Sequence, residues 1–226
     1  MIQRLGELER LLANMIKPGK IVAAQYGKPP RVRVQIGGCT TAWLPWAGGR
    51  AGGDRSWFPP EVGEQVIVLS VCGDHTQGFV IPGVYQDSAT APGDSPDKPR
   101  IVFKDGAVIE YDRAASVLTV TLPDGGKSTV TTGAANVTQT KDSIKASIGG
   151  NSAEVKADSV TLTAGGTTLA VKDGSITMTL GACTITFDAS GATVSGGDVK
   201  AGAISLTNHI HPGVQSGGAS TGPAEG

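Results

Sequence analysis

Large aromatic side chains are scarce in this 226-residue chain, at 4% of residues, and they are unevenly placed. All three tryptophans (Trp43, Trp46 and Trp57) precede residue 60, and beyond Tyr111 the sole aromatic is Phe187. A globular core draws much of its buried area from such residues. The second half must therefore bury apolar surface with small residues, shared with partner chains. Cysteine is also rare. Cys39, Cys72 and Cys183 are far apart, odd in number and lack CxxC spacing. That excludes a disulfide framework and a zinc ribbon, and leaves buried free thiols as the expectation. Charge of one sign is lacking as well: the net charge is −1, with nine Lys/Arg against seven Asp/Glu in residues 1–90 and ten against thirteen in residues 91–226. No strong positive field exists in either half, so no nucleic-acid partner is expected. No apolar run approaches the roughly 20 residues that span a bilayer. The start, MIQRLGELERLLANMI, is amphipathic and charged, unlike a signal peptide, and implies synthesis in a cytoplasm.

Catalytic signatures are missing too. There is no HExxH, GxSxG or Walker loop, and no GxGxxG between a strand and a helix. Carboxylates are scattered, the tightest group being Asp105, Glu110 and Asp112. A polysaccharide-cleaving β-helix would need a carboxylate pair facing a sugar groove, usually lined with aromatics. The expectation is a protein that is not an enzyme.

Residues 2–16 place Ile2, Leu5, Leu8, Leu12 and Met15 three or four apart, with Arg4, Glu7, Glu9 and Arg10 between them. This spacing predicts an amphipathic helix stopped by Pro18-Gly19. Such a helix is marginal alone, and either caps its own domain or packs at an oligomer interface. From Lys20 the period becomes two: Ile21-Val22-Ala23, the alternating Arg31-Val32-Arg33-Val34-Gln35-Ile36, the apolar run of residues 66–71 and then residues 78–85. Four or five short strands in about 70 residues predict a small OB-fold barrel. Trp43, Pro45, Trp46, Trp57, Phe58, Pro59 and Pro60 form an aromatic cluster that stacks bases in some OB-folds. With little positive charge nearby, packing inside the barrel or against a neighbouring subunit is the preferred reading.

Residues 89–99 read ATAPGDSPDKP, with three prolines and no apolar period, as in a linker. Beyond them alternation returns and persists to Leu206, with Gly, Asp or Ser turns between strands that recur roughly every 7–10 residues. Each strand carries one modest apolar face and one Thr/Ser/Lys face. Three chains wound about one axis would pool those faces and leave little sheet edge exposed; a β-sandwich is the alternative.

His209 and His211, in Asn208-His209-Ile210-His211-Pro212-Gly213, lie two apart and point to one side of an extended segment. One chain offers two nitrogens; three on an axis offer six, enough for an octahedral site of an imidazole-binding metal such as Zn, Cu, Fe or Ni, six-coordination arguing against zinc. His75, in a loop between strands, reads as a solvated turn residue.

These pieces resemble a known family, baseplate assembly protein V of P2-like phages and the spike of related R-type bacteriocins. The resemblance rests on the N-terminal helix, residues 43–52 (WLPWAGGRAG), residues 60–66 (PEVGEQV), Gly73-Asp74, Gln77-Gly78, Gly83-Val84-Tyr85, and the terminal HxH with Gly213-Val214 and Thr221-Gly222. It covers nearly the whole chain, and departs from the common pattern in having Ile210 between the histidines and Pro212 after them. The resemblance implies a mainly β homotrimeric needle: an N-terminal helix (1–18), an OB-fold collar (19–88), a linker (89–103), an intertwined triple-stranded β-helix (104–207), and a metal-binding apex with a fold-back tail (208–226). It further implies one iron per trimer, held octahedrally by six nitrogens from His209 and His211 of three chains, with other ions such as calcium or chloride admissible. Implied partners are the baseplate hub, the tail tube and the bacterial outer membrane. The implied role is a membrane-piercing central spike at the tip of a contractile tail, located in a virion or bacteriocin baseplate. A receptor-binding fibre or an OB-type nucleic-acid binder are the competing readings outside enzymology.

Overall fold

The computed structural model describes residues 2–213 and 217–218. Val214, Thr221 and Gly222 of the expected tail pattern lie outside the described residues. The chain divides into two compact units, Met1–Pro99 and Arg100–Gly226.

The first unit opens with α1 (Ile2–Met15) and passes directly into β1 (Ile16–Gln25). It continues with β2 (Arg31–Ile36), β3 (Cys39–Thr40), β4 (Gln65–Ser70) and β5 (Gly78–Val84). All pairings are antiparallel, in the order β3-β2-β1-β4-β5. Alternation puts Val32, Val34, Val66 and Val68 on one face, where with Ile21, Leu44 and Val80 they form the buried core. Each such aliphatic side chain contributes about 1.5–3 kcal/mol when fully buried. Thr41 and Ser70 are buried polar residues of this unit; the Thr41 hydroxyl accepts the Val34 N–H at 3.0 Å and donates to the Ala42 carbonyl at 2.8 Å. Trp46 packs against the core, and its ring meets Tyr26 edge-on at 6.5 Å and Trp57 at 5.7 Å.

The expected OB-fold barrel is corrected here. β3 and β5 are the two edges of this sheet and do not pair with each other, so the sheet is not closed. The segment between them contributes only isolated bridges, Leu44 to Val32 and Trp46 to Val80. Alternation assigns a side chain to a face but carries no information about strand length at the seam, and β3, at two residues, is too short to close a cylinder.

The second unit begins with β6 (Arg100–Val102), β7 (Val108–Asp112) and β8 (Val117–Thr121), a sheet in sequential order. A half-buried ion pair, Arg100 to Glu110 at 2.5 Å, crosses β6 and β7. Then comes a nine-stranded antiparallel sheet: β9 (Ser128–Thr132), β10 (Ala135–Gln139), β11 (Ser143–Ile148), β12 (Asn151–Lys156), β13 (Ser159–Ala164), β14 (Thr167–Lys172), β15 (Ser175–Leu180), β16 (Cys183–Asp188) and β17 (Gly191–Ser195). Every strand pairs with its sequence neighbours. From β11 onward the strands start eight residues apart, at Ser143, Asn151, Ser159, Thr167, Ser175, Cys183 and Gly191. Two-residue turns join them, for example Gly149-Gly150 inside the Ile148–Asn151 pair, and Gly149 has φ +55°. Positive φ at such a turn is what a right-twisted hairpin requires and glycine supplies without strain.

This meander also corrects the expected intertwined triple-stranded β-helix. Each strand finds its partner within its own chain, at the shortest loop length. A two-residue turn closes with little entropy cost, and the sequence pattern that serves a wound fibre serves a hairpin ladder equally well.

The apolar face of the sheet is nevertheless real. One cross-strand row runs Val130, Val137, Ala146, Ala153, Leu162, Leu169, Met178, Ile185, Val194. A parallel row on the same face runs Ile144, Val155, Val160, Val171, Ile176, Phe187. The opposite face carries Thr161, Thr177, Thr186 and Thr193 together with the Lys145–Glu154–Lys156 charges. In the single chain the apolar rows stay open: Leu162 is 48% exposed, Ile176 42% and Val130 67%.

Candidate functional site

After β17 the chain makes a small hairpin, β18 (Lys200–Ala201) and β19 (Ile204–Ser205), turning at Gly202 with φ +63°. Polar side chains brace it. The Thr207 hydroxyl donates to Asp198 at 3.1 Å, the Asn208 N–H donates to Ser205 Oγ at 3.0 Å, and the Leu206 N–H donates to the Val199 carbonyl at 3.0 Å. Hydrogen bonds from Ser205 and then Thr207 hold the Asp198 carboxyl below its ordinary range.

His209 follows this brace. Its Nδ1 lies 3.0 Å from the Ser205 carbonyl and 3.2 Å from that of Leu206. Carbonyls only accept, so Nδ1 is the donor in these contacts. The His211 ring meets the His209 ring edge-on, centroid to centroid 4.9 Å. The two histidines singled out by their spacing are thus side by side, with Ile210 between them 88% exposed.

Among the described residues no group of three or more His, Cys, Asp or Glu side chains is placed to hold a metal ion. The expected octahedral iron centre of six imidazole nitrogens, with other ions such as calcium or chloride admissible, is therefore corrected. One chain supplies two imidazoles, and the hairpin's own carboxylate, Asp198, is taken up by Thr207. The spacing of two histidines foretold neighbours on one side; it could not supply the other four ligands.

The other candidate residues serve local structure. Asp105 accepts the Ala107 N–H at 3.0 Å, and Asp112 accepts those of Ala114 and Ala115 at 3.0 Å. Glu110 is engaged by Arg100. His75 does more than the expected solvated turn residue, for its Nδ1 shares a 2.8 Å hydrogen bond with the hydroxyl of buried Ser70. The expectation of buried thiols is corrected as well: Cys39 and Cys72 are exposed and Cys183 is half-buried. Cys39 lies on the short edge strand, and Cys72 sits at φ +50° in the turn after β4, neither of which a sequence pattern announces. The residues that orient His209, the carbonyl-bearing Ser205 and Leu206, were also missed; a backbone acceptor leaves no mark in the side-chain sequence.

Residues 17–85, the strands of the open five-stranded sheet, match the family described as the type VI secretion system/phage-baseplate injector OB domain. Residues 203–225 match the GpV apex motif, which includes both histidines. The spike protein of Escherichia phage P2 is 44% identical over 139 residues. Over those residues the chain is similar to a phage spike protein. The match to the P2 spike covers 62% of this chain and 64% of that protein.

Proposed function

We propose that the chain is the membrane-piercing central spike at the tip of a contractile tail, acting as a homotrimer seated on the baseplate hub and tail tube. The observation that carries the reading is the open apolar face of the nine-stranded sheet. Two rows of apolar side chains, one crossing nine strands and the other six, stay open to water along much of their length in one chain. Contiguous apolar surface of that kind marks an interaction face. Further copies, each bringing the same face, cover it without any foreign partner, and assemblies of identical chains close by rotational symmetry. The similarity to a phage spike protein and to a phage-baseplate injector domain supports a tail-baseplate setting.

In this reading the work is mechanical. Strands cross-linked by backbone hydrogen bonds, each worth roughly 0.5–1.5 kcal/mol net, share load along the ladder, and the outer membrane is breached when the sheath contracts. His209 and His211 are proposed as a two-nitrogen donor pair, His209 being held through Nδ1 by the Ser205 and Leu206 carbonyls. A pair of imidazoles takes up nickel weakly. Isothermal titration of the chain with nickel tests this: heat that vanishes in H209A/H211A supports the pair, and identical titrations refute it.

The experiment for the function itself has two arms. Sedimentation equilibrium of the purified chain should give three times the 22.9 kDa of one chain. Tails assembled without the chain should contract yet fail to release potassium from target cells. A monomer, or tails that still permeabilise cells without it, would overturn the proposal.

A further inference from the structure

α1 carries a second unpartnered face, and its charges specify what covers it. Leu5, Leu8, Leu12 and Met15 follow one another at intervals of three, four and three, and all are exposed. That is the a/d spacing of a heptad, with Leu5 and Leu12 at a and Leu8 and Met15 at d. The same frame puts Arg4 and Leu11 at g and Glu9 at e. Glu7 and Arg10, at the outer c and f positions, already satisfy each other through two hydrogen bonds of 2.9 and 2.7 Å. Arg4 and Glu9 have no such partner within the described residues. They stand five positions apart, g to the following e, which is the spacing at which side chains of two parallel helices meet across a coiled-coil seam. The helix contacts its own unit on a flank: Leu11 backbone lies so close to Gly73 that a side chain on Gly73 would strike it. The leucine seam is left outside that contact.

We propose that α1 pairs in parallel with the α1 helices of other copies of this chain, its seam formed by Leu5, Leu8, Leu12 and Met15 and flanked by Arg4–Glu9 ion pairs between chains. The inference rests on the homotrimer reading. A helix of 14 residues is marginal by itself, and copies held together by the sheet face raise the local concentration of α1 enough for two heptads to associate. The parallel sense follows from rotational symmetry, and the ion pairs fix the register.

The test uses the full chain with Cys39, Cys72 and Cys183 replaced by serine. Leu8→Cys at a d position should cross-link between chains on mild oxidation, while Gln3→Cys, on the outer face, should not. Arg4→Glu should slow Leu8→Cys cross-linking about two-fold, as loss of an exposed pair does. Adding Glu9→Arg to Arg4→Glu should restore the rate, and 1 M salt, where the screening length is about 3 Å, should erase the difference. A chain that sediments as a trimer but does not cross-link at Leu8→Cys overturns the α1 pairing and leaves the homotrimer standing. Cross-linking insensitive to Arg4→Glu overturns the ion-pair register. A monomeric chain overturns both readings.

Discussion

Replacing Leu162 by alanine distinguishes a face that stays in water from one that is covered by copies. Leu162 lies mid-row, opposite Ala153 on β12 and Leu169 on β14. In one chain it is 48% exposed. Complete burial of a leucine side chain is worth about 1.5–3 kcal/mol, so covering the remaining half adds roughly 0.7–1.5 kcal/mol per chain. Three copies change together, so the assembly loses roughly 2–4.5 kcal/mol, before any cavity is counted. That is a shift of about 30-fold to 2,000-fold in the trimer's dissociation constant, since each 1.4 kcal/mol is tenfold. The assay is sedimentation equilibrium over a dilution series, with thermal unfolding at two concentrations, because the melting point of an assembly moves with concentration. Thr161→Ala, on the opposite face, is the control, with an expected change within about 0.5 kcal/mol. If Leu162→Ala dissociates at the same concentration as the control, the apolar face is not the interface and the reasoning fails.

Other perturbations test the fold itself. Gly78 begins β5 at φ +139°, and a Cβ there would collide with the Leu69 carbonyl, so Gly78→Ala should cost ~3 kcal/mol or more in denaturant unfolding; an unchanged midpoint would show that the backbone relaxes freely. Thr41→Val keeps the shape but strips the acceptor from the Val34 N–H, which should cost about 1–3 kcal/mol by the same measurement. Asp198 and Asp188 are held below the ordinary carboxylate value by hydrogen bonds, chiefly from Ser205 and Ser190 respectively. Their folded values are depressed, so their contribution is present above the ordinary value of 3.8 and is lost as pH falls through the folded one. Melting temperature should therefore drop on acidification below about pH 4, and the slope should lessen in Asp188→Asn/Asp198→Asn; parallel curves for variant and parent would exclude the effect.

Much of the local structure was legible. The helix over residues 2–16 is α1, ending at Met15, and the alternating residues 31–36 are β2. Periodicity works there because side-chain direction follows backbone geometry within a few residues. Pro18-Gly19, read as the stop of the helix, lies inside β1, opposite Ile67 and Val66. The helix does stop, but the chain needs no loop to begin the strand. What lay beyond reach was the identity of partners. Whether β3 meets β5, whether β13 meets its own chain or another, and whether a third ligand joins His209 and His211 all depend on groups distant in sequence. The apolar rows were read as one face of each strand, and the pairings align them so; a period of two says nothing about what covers that face.

The even eight-residue step of β11 to β17 has a consequence for length. Each pair of strands occupies 16 residues and returns the chain to the same side with the same face outward. Removing residues 159–174 would join β12 to β15 across an equivalent turn, putting Ile176 opposite Val155 with the apolar rows unbroken. The sheet would become narrower by two strand spacings, about 9.5 Å. A protein built this way behaves like a ruler graduated in hairpins: relatives of different reach can arise by gain or loss of whole units, without redesign of either end.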